Sequence, residues 1–213
     1  MKTIDQLKNL RLMALLFAAI AIVGCSDDDD AAPEEEEEVE VITNVSLVFT
    51  NTTDPTDVVT ASAVDPDGEG VQDLIVDPAG ITLSVNTTYV LTFVIQNALN
   101  PNDVEDIGEE IEDEDDEHQI FFSFTDGAFA DPTGDGNIDM ASNPINYEDE
   151  DSDNQDGSGN PVGLETTWTT GAAPLAGGNF TARLQHQPDI KTATTGATDG
   201  DTDFNLSFLL NIQ

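Results

Sequence analysis

From Val39 to the final residue the chain alternates apolar and polar side chains with a period of two, and that rhythm leaves few folds open. Successive side chains leave a pleated backbone on opposite faces, so a period of two marks a half-buried strand. Val41, Thr43, Val45, Leu47 and Phe49 share one face of the first such run, with Ile42 and Val48 as exceptions on the other. Similar runs cover Val58–Val64, Ile81–Val85, Tyr89–Ile95, Ile120–Phe124, Ile145–Tyr147, Val162–Trp168, Phe180–His186 and Phe204–Ile212. Turn-forming clusters such as Asn51–Pro55 and Asp65–Gly70 separate them. Only 100–117 breaks the rhythm. There Asn100–Asp103 is positioned to cap a short surface helix whose apolar members are Val104, Ile107 and Ile111. The pattern predicts an all-β fold of seven to nine strands, an antiparallel β-sandwich of Ig-like type, with a closed barrel as the alternative.

Charge sets the second constraint. The sequence has 44 acidic residues against five Lys and Arg, three of which (Lys2, Lys8 and Arg11) lie at the extreme N-terminus. A chain cleaved before Cys25 keeps two cations, Arg183 and Lys191, and loses only Asp5 among the acids. Such a surface repels nucleic acid and anionic lipid headgroups, which excludes nucleic acid as a partner. Compaction then calls for cations. A saline habitat supplies them, since about 1 M salt shortens the Debye length to roughly 3 Å. Bound Ca²⁺ does so locally.

Residues 1–24 have a basic start followed by an apolar run from Leu12 to Val23, the grammar of an export signal. Ile22-Val23-Gly24-Cys25 reads as a lipobox, with Cys25 as the lipidation site. Cys25 is the only cysteine, so no internal disulfide and no thiolate metal site can form. Residues 25–38 then form a lipidated Cys and a disordered acidic tether, with Asp27–Asp30 and Glu34–Glu38 too polar to build a core. The β-domain is expected over 39–213.

Three groups of residues offer chemistry. Asp131, Thr133, Asp135, Asn137 and Asp139 place oxygens at alternate positions around Gly136, like the first part of an EF-hand or dockerin-type Ca²⁺ loop. Ser142 stands where the bidentate Glu would be. Asp65, Asp67, Glu69 and Asp73 repeat the spacing more weakly. Acidic glycine turns of this kind also occur without any metal. The third group is His118 and His186, each sharing the parity of the apolar residues in its own strand. If those strand ends are neighbours, the two imidazoles with Glu117 or Asp189 would hold Zn²⁺ or Cu²⁺. The chain has no Gly-x-Ser-x-Gly, His-Glu-x-x-His or phosphate-binding loop, and its single tryptophan, Trp168, reads as a core residue rather than a sugar platform. The expectation is a module without enzymatic activity.

Cys25-Ser26 followed by acidic residues resembles the lipoprotein export signal of Bacteroidota, which implies lipid anchoring in the outer membrane with the domain on the cell surface rather than facing the periplasm. The succession Asn86–Tyr89, Glu117-His118-Gln119, Gly163-Leu164, Trp168–Gly171 and Leu184–Asp189 is similar to a group of small Bacteroidota lipoproteins. Such lipoproteins often accompany TonB-dependent receptors. The resemblance implies a ligand- or metal-binding module, or a receptor accessory, contacting the membrane through its lipid. A Ca²⁺-stabilised adhesive surface domain is the alternative.

Overall fold

The computed structural model describes residues 40–68, 74–149 and 161–213. Cys25, the tether, Glu69, Asp73 and most of the acidic turn after Glu148 lie outside those residues.

The described chain is an all-β sandwich of two sheets. The first sheet contains β1 (Asn44–Asn51), β2 (Val58–Val64), β3 (Ile75–Val76), β5 (Thr88–Asn97), β6 (Glu105–Asp106), β8 (Phe129–Asp131) and β9 (Glu165–Thr170). Its order is β3-β2-β1-β5-β9-β8, with β6 also on β5. The second sheet contains β4 (Ile81–Leu83), β7 (His118–Phe124), β10 (Leu175–His186) and β11 (Asp201–Ile212), in the order β4-β11-β10-β7. The strands beyond the expected number include β3 and β6, each two residues long. One pairing departs from the antiparallel rule: β4 runs parallel to the end of β11, with Leu210 opposite Ile81.

Alternation explains the core directly. Val45, Leu47 and Phe49 of β1 and Tyr89, Leu91 and Ile95 of β5 are buried from one sheet. Ile120, Phe122 and Phe124 of β7 and Phe180, Ala182 and Leu184 of β10 meet them from the other. Trp168 is fully buried, its indole N–H donating to Thr166 Oγ1 at 2.7 Å. Phe122, Phe124, Phe129 and Phe180 surround it at ring centroids of 4.9–5.4 Å. Each such aromatic pair adds about 0.5–1.5 kcal/mol beyond the area it buries.

Two sequence expectations need correction. The helix, α1, spans Ile107–Asp113 and is capped by Asp106, whose carboxylate accepts from the Gly108 N–H at 3.1 Å. It starts later than expected because Asn100–Asp103 is spent on a turn and Glu105–Asp106 pairs with β5. Ile107 and Ile111 are buried, and Val104 is exposed. Ile145–Tyr147 makes only a single bridge, Tyr147 to Thr166. Its backbone lies along β9, while the Tyr147 hydroxyl donates across the sandwich to the Ile120 carbonyl at 2.8 Å. This segment ties the sheets together instead of extending one.

Candidate metal centre

His118 opens β7 and His186 closes β10, and antiparallel register sets them directly opposite each other. Because each has the parity of its strand's buried residues, both imidazoles fall at the same end of the core. Their rings stack with centroids 4.6 Å apart and planes within 4° of parallel. The side chain of His118 is fully buried, and that of His186 is 14% exposed.

Four acidic residues close around this pair from three segments. Glu40, just ahead of β1, brings Oε1 to 2.9 Å from His118 Nε2. The acidic stretch after α1 folds back, so that the Glu114 carbonyl lies 3.3 Å from His118 Nδ1. Glu117 Oε2 is 3.1 Å from His186 Nε2. Asp203 of β11 places Oδ2 4.0 Å from His118 Nε2. Asp203 reaches inward because the β10–β11 register skips from Leu184–Phe204 to Gln185–Thr202, making it the extra residue of a bulge. Bulges re-aim side chains in this way.

The hydrogen bonding of His118 is informative. Nδ1–H is donated to the Glu114 carbonyl, an orientation common among metal-binding histidines, and Nε2 faces the Glu40 carboxylate at 2.9 Å. Nε2 has no hydrogen bond of acceptable geometry among the described residues, despite the nearby Glu40 oxygen. Asp203 Oδ2 is also buried without a hydrogen-bond partner there. Such orphaned polar atoms are costly inside a protein.

The surroundings shift several groups. Burial alone would lower the His118 pKa, but the contact with Glu40 and the charges of Glu40 and Asp203 win and raise it above its ordinary value. Burial would raise Glu40, yet its contact with His118 and the charge of His118 bring it below the usual range. Asp203 is pushed up to about 6, by burial first and then by the Glu40 charge. Glu114 is raised, chiefly by burial.

Two groups of three potential ligands lie within 4.8 Å of one another among the described residues: Glu40, His118 and His186; and Glu114, Glu117 and His186. Proximity is not coordination, however. A metal lies in the plane of each imidazole, about 2 Å from its nitrogen. Two parallel stacked rings have separate planes, so one ion cannot take both as they stand. Chelation by both requires the ring of His186, the more accessible of the two, to turn. The donor set, two imidazoles and carboxylates, fits Zn²⁺ or Cu²⁺.

Of the residues singled out for transition-metal binding, the fold assembles His118, His186 and Glu117. Asp189 is exposed in the turn after β10 and belongs to neither group. Glu40, Glu114 and Asp203 had no distinguishing signal in a chain so rich in acids.

The Ca²⁺-like loop is put together differently. Asp131, Thr133, Asp135 and Asp139 are exposed, and the three carboxylates do not converge. Asn137 is buried and turned away from them, accepting from the Phe122 N–H at 2.8 Å and donating to the Tyr147 hydroxyl at 2.9 Å. Gly136, at φ 100°, lies so close to β7 that a Cβ would fall 2.1 Å from the Phe122 carbonyl oxygen. Here the glycine permits a close backbone approach, and the loop covers the edge of β7. In the weaker loop, Asp65 accepts from the N–H groups of Asp67 and Gly68, both at 3.1 Å, as a self-contained turn.

A cavity of about 410 Å³ adjoins the histidine end, lined by Ile42, Asp65, Leu74 and Thr202–Leu206. Asp203 belongs to both the cavity wall and the acid ring. No protein-family model matches this chain, and no curated protein or solved structure is significantly similar to it.

Proposed function

We propose that this chain is a lipoprotein anchored through Cys25 in the outer membrane and displayed at the cell surface, where its β-sandwich binds one Zn²⁺ or Cu²⁺ ion without catalysing a reaction. His118 Nε2 is the primary ligand, Glu40 the second, and His186 joins after its ring turns. The observation that carries this reading is the pair of imidazoles brought together at one end of the core and ringed by carboxylates, with the buried Nε2 of His118 set 2.9 Å from Glu40 Oε1 and its ring oriented by the Glu114 carbonyl. The high negative charge of the domain concentrates cations at its surface. Capturing a metal for a neighbouring TonB-dependent receptor is the role that suits such a site on such an anchor.

The test is metal stoichiometry and affinity of the mature protein, with an NaCl control for general charge screening. One equivalent of Zn²⁺ or Cu²⁺, a metal-specific rise in melting temperature and loss of both in His118→Ala are expected. Absence of stoichiometric metal in the wild type overturns the proposal. In cells, Cys25→Ser is expected to move the protein from the membrane fraction to the soluble one.

A further inference from the structure

The inner nitrogen of the histidine pair is sealed from water. The His118 side chain is fully buried, the Glu40 side chain facing it is 7% exposed, and His118 Nε2 does not touch solvent. An ion arriving from outside therefore meets other groups first. The donors next outward are His186, Glu117 and Glu114, whose side chains are 14%, 36% and 53% exposed. One ring nitrogen and one oxygen from each glutamate lie within 4.8 Å of one another. His186 Nε2 is 3.1 Å from Glu117 Oε2. Neighbouring donors around a tetrahedral ion with bonds near 2 Å are about 3.3 Å apart, so this pair is already spaced for one. Main-chain bonds fix the three positions. The Glu117 N–H donates to the Glu114 carbonyl at 2.9 Å, and the N–H of Gln187, next to His186, donates to the Glu117 carbonyl at 2.6 Å. Only one imidazole takes part, so the stacking of the two rings is no obstacle.

We infer that His186, Glu117 and Glu114 form a separate entry position, which captures Zn²⁺ or Cu²⁺ from solution and hands it to His118. This rests on the metal-binding reading above and adds the route by which that site fills and empties. The geometry divides the work. The outer position is assembled with the rings stacked as they stand, whereas the inner one needs the His186 ring to turn. Both positions use His186, so they hold one ion between them, and the turn of that ring carries the ion inward. In passing from one imidazole and two carboxylates to two imidazoles and one carboxylate, the ion gains a nitrogen donor. That exchange favours Zn²⁺ and Cu²⁺ and disfavours Ca²⁺ and Mg²⁺, which prefer oxygen. Glu40 and Asp203 on the inner side keep the path negative along its length.

Stopped-flow mixing of the mature lipoprotein in detergent with Cu²⁺, followed by visible absorption of the copper, tests this. Two phases are expected, the first with a rate that rises with copper concentration, the second with a rate set by the ring turn alone. Glu114→Gln combined with Glu117→Gln should slow both copper loading and copper release to a chelator by about tenfold or more. Slowing in both directions marks a route, because loss of a ligand from the final site would speed release. Asp135→Asn combined with Asp139→Asn removes the same charge from exposed positions of the 131–139 loop and should leave both rates unchanged. His118→Ala should stop at the first phase, its copper held about 100-fold more weakly and through one imidazole, counted by pulsed electron paramagnetic resonance. The glutamine variant changes only side chains with substantial exposure, and it keeps the test decisive if His118→Ala does not fold. Four results overturn the entry position and leave the metal-binding reading intact: a single phase in the wild type, glutamine-variant rates equal to wild type, faster release from that variant, or equal slowing by the asparagine pair. Copper in folded His118→Ala bound through no imidazole does the same. Failure of copper to bind the wild type at all overturns both readings.

Discussion

The loop at 131–139 and the histidine end of the sandwich are both acidic, yet they use their polar groups in opposite ways. In the loop, carboxylates remain in water, and the one buried polar side chain, Asn137, is satisfied by a backbone N–H and a tyrosine hydroxyl. At the histidine end, an imidazole nitrogen and a carboxylate oxygen are buried and left without hydrogen bonds among the described residues. Exposed carboxylates lose little by staying hydrated, whereas a buried orphan gains whatever its missing partner supplies. Acid density therefore does not by itself mark the proposed ion site, and burial without satisfaction distinguishes the two regions more sharply.

The largest expected effect lies at the histidine end. His118→Ala should lower Zn²⁺ or Cu²⁺ affinity by about 100-fold or more, since loss of even a supporting group around a metal ligand commonly costs 10–100-fold. His186→Ala should cost less, about tenfold, because that ring must turn to reach the ion. Isothermal titration of the two variants ranks them, and equal losses would mean that the stacked pair opens more readily than its geometry implies. Asp135→Ala should leave transition-metal affinity unchanged. It should also leave the response to Ca²⁺ no different from that to an ionic-strength control, and a Ca²⁺-specific rise in melting temperature abolished by Asp135→Ala would restore the loop as an ion site.

Stability should show the reverse pattern. Asn137→Ala should destabilise the fold by about 2–3 kcal/mol, because it strands the Phe122 N–H and removes a bond to Tyr147. Denaturant melts should report this loss with metal affinity of the folded fraction unchanged. The loop then counts as structural and the histidine end as functional.

The pH dependence should be smaller and has a definite sign. Asp149 accepts from the N–H groups of Gly163 and Leu164 and is pushed up to about 6, burial outweighing those bonds. A carboxyl with a folded pKa above its ordinary 3.8 contributes stability below 3.8 that is lost as pH rises through about 6. Asp203 acts in the same direction over the same window. The raised His118 adds stability below 6.5 that disappears as pH climbs through its folded value. Glu40 runs the other way, its contribution falling as pH drops below 4.5 through its lowered value. Asp149→Asn keeps an oxygen for the two N–H groups and should stabilise the protein at pH 7–8 by about 1–3 kcal/mol. It should also flatten the decline between pH 4 and 6. Thermal melts across that range would count against a buried, raised Asp149 if the variant and the wild type ran parallel.

Arg183 and Lys191, the two Lys/Arg side chains among the described residues, both donate to backbone carbonyls. Arg183 donates to the Ala197 carbonyl at 2.9 Å, and Lys191 donates to the Asp115 carbonyl. The second contact joins the loop after β10 to the acidic turn that precedes His118. Gln187 strengthens this junction through its N–H to the Glu117 carbonyl at 2.6 Å. The segments enclosing the histidines are thus held together by backbone acceptors, which remain available however many carboxylates surround them.

The strands and their inward faces were legible from the sequence, because alternation is a local property of an extended backbone. It placed Val45, Leu47 and Phe49, the core role of Trp168, and both histidines on inward faces. What the sequence could not decide was register, since opposing His118 and His186 depends on pairing strands about 70 residues apart. Asp203 was hidden for a related reason: regular alternation with Phe204 and Leu206 points it outward, and only the bulge in the β10–β11 pair turns it toward His118. Glu40 gave no signal among so many acids until the start of β1 set it beside a buried imidazole. The reverse holds for the 131–139 loop, where ligand-like spacing could not reveal that Asn137 and Gly136 are committed to the edge of β7. Sequence alone determined which residues belong to the core; tertiary pairing decided which polar atoms were buried together and which of them were left unsatisfied.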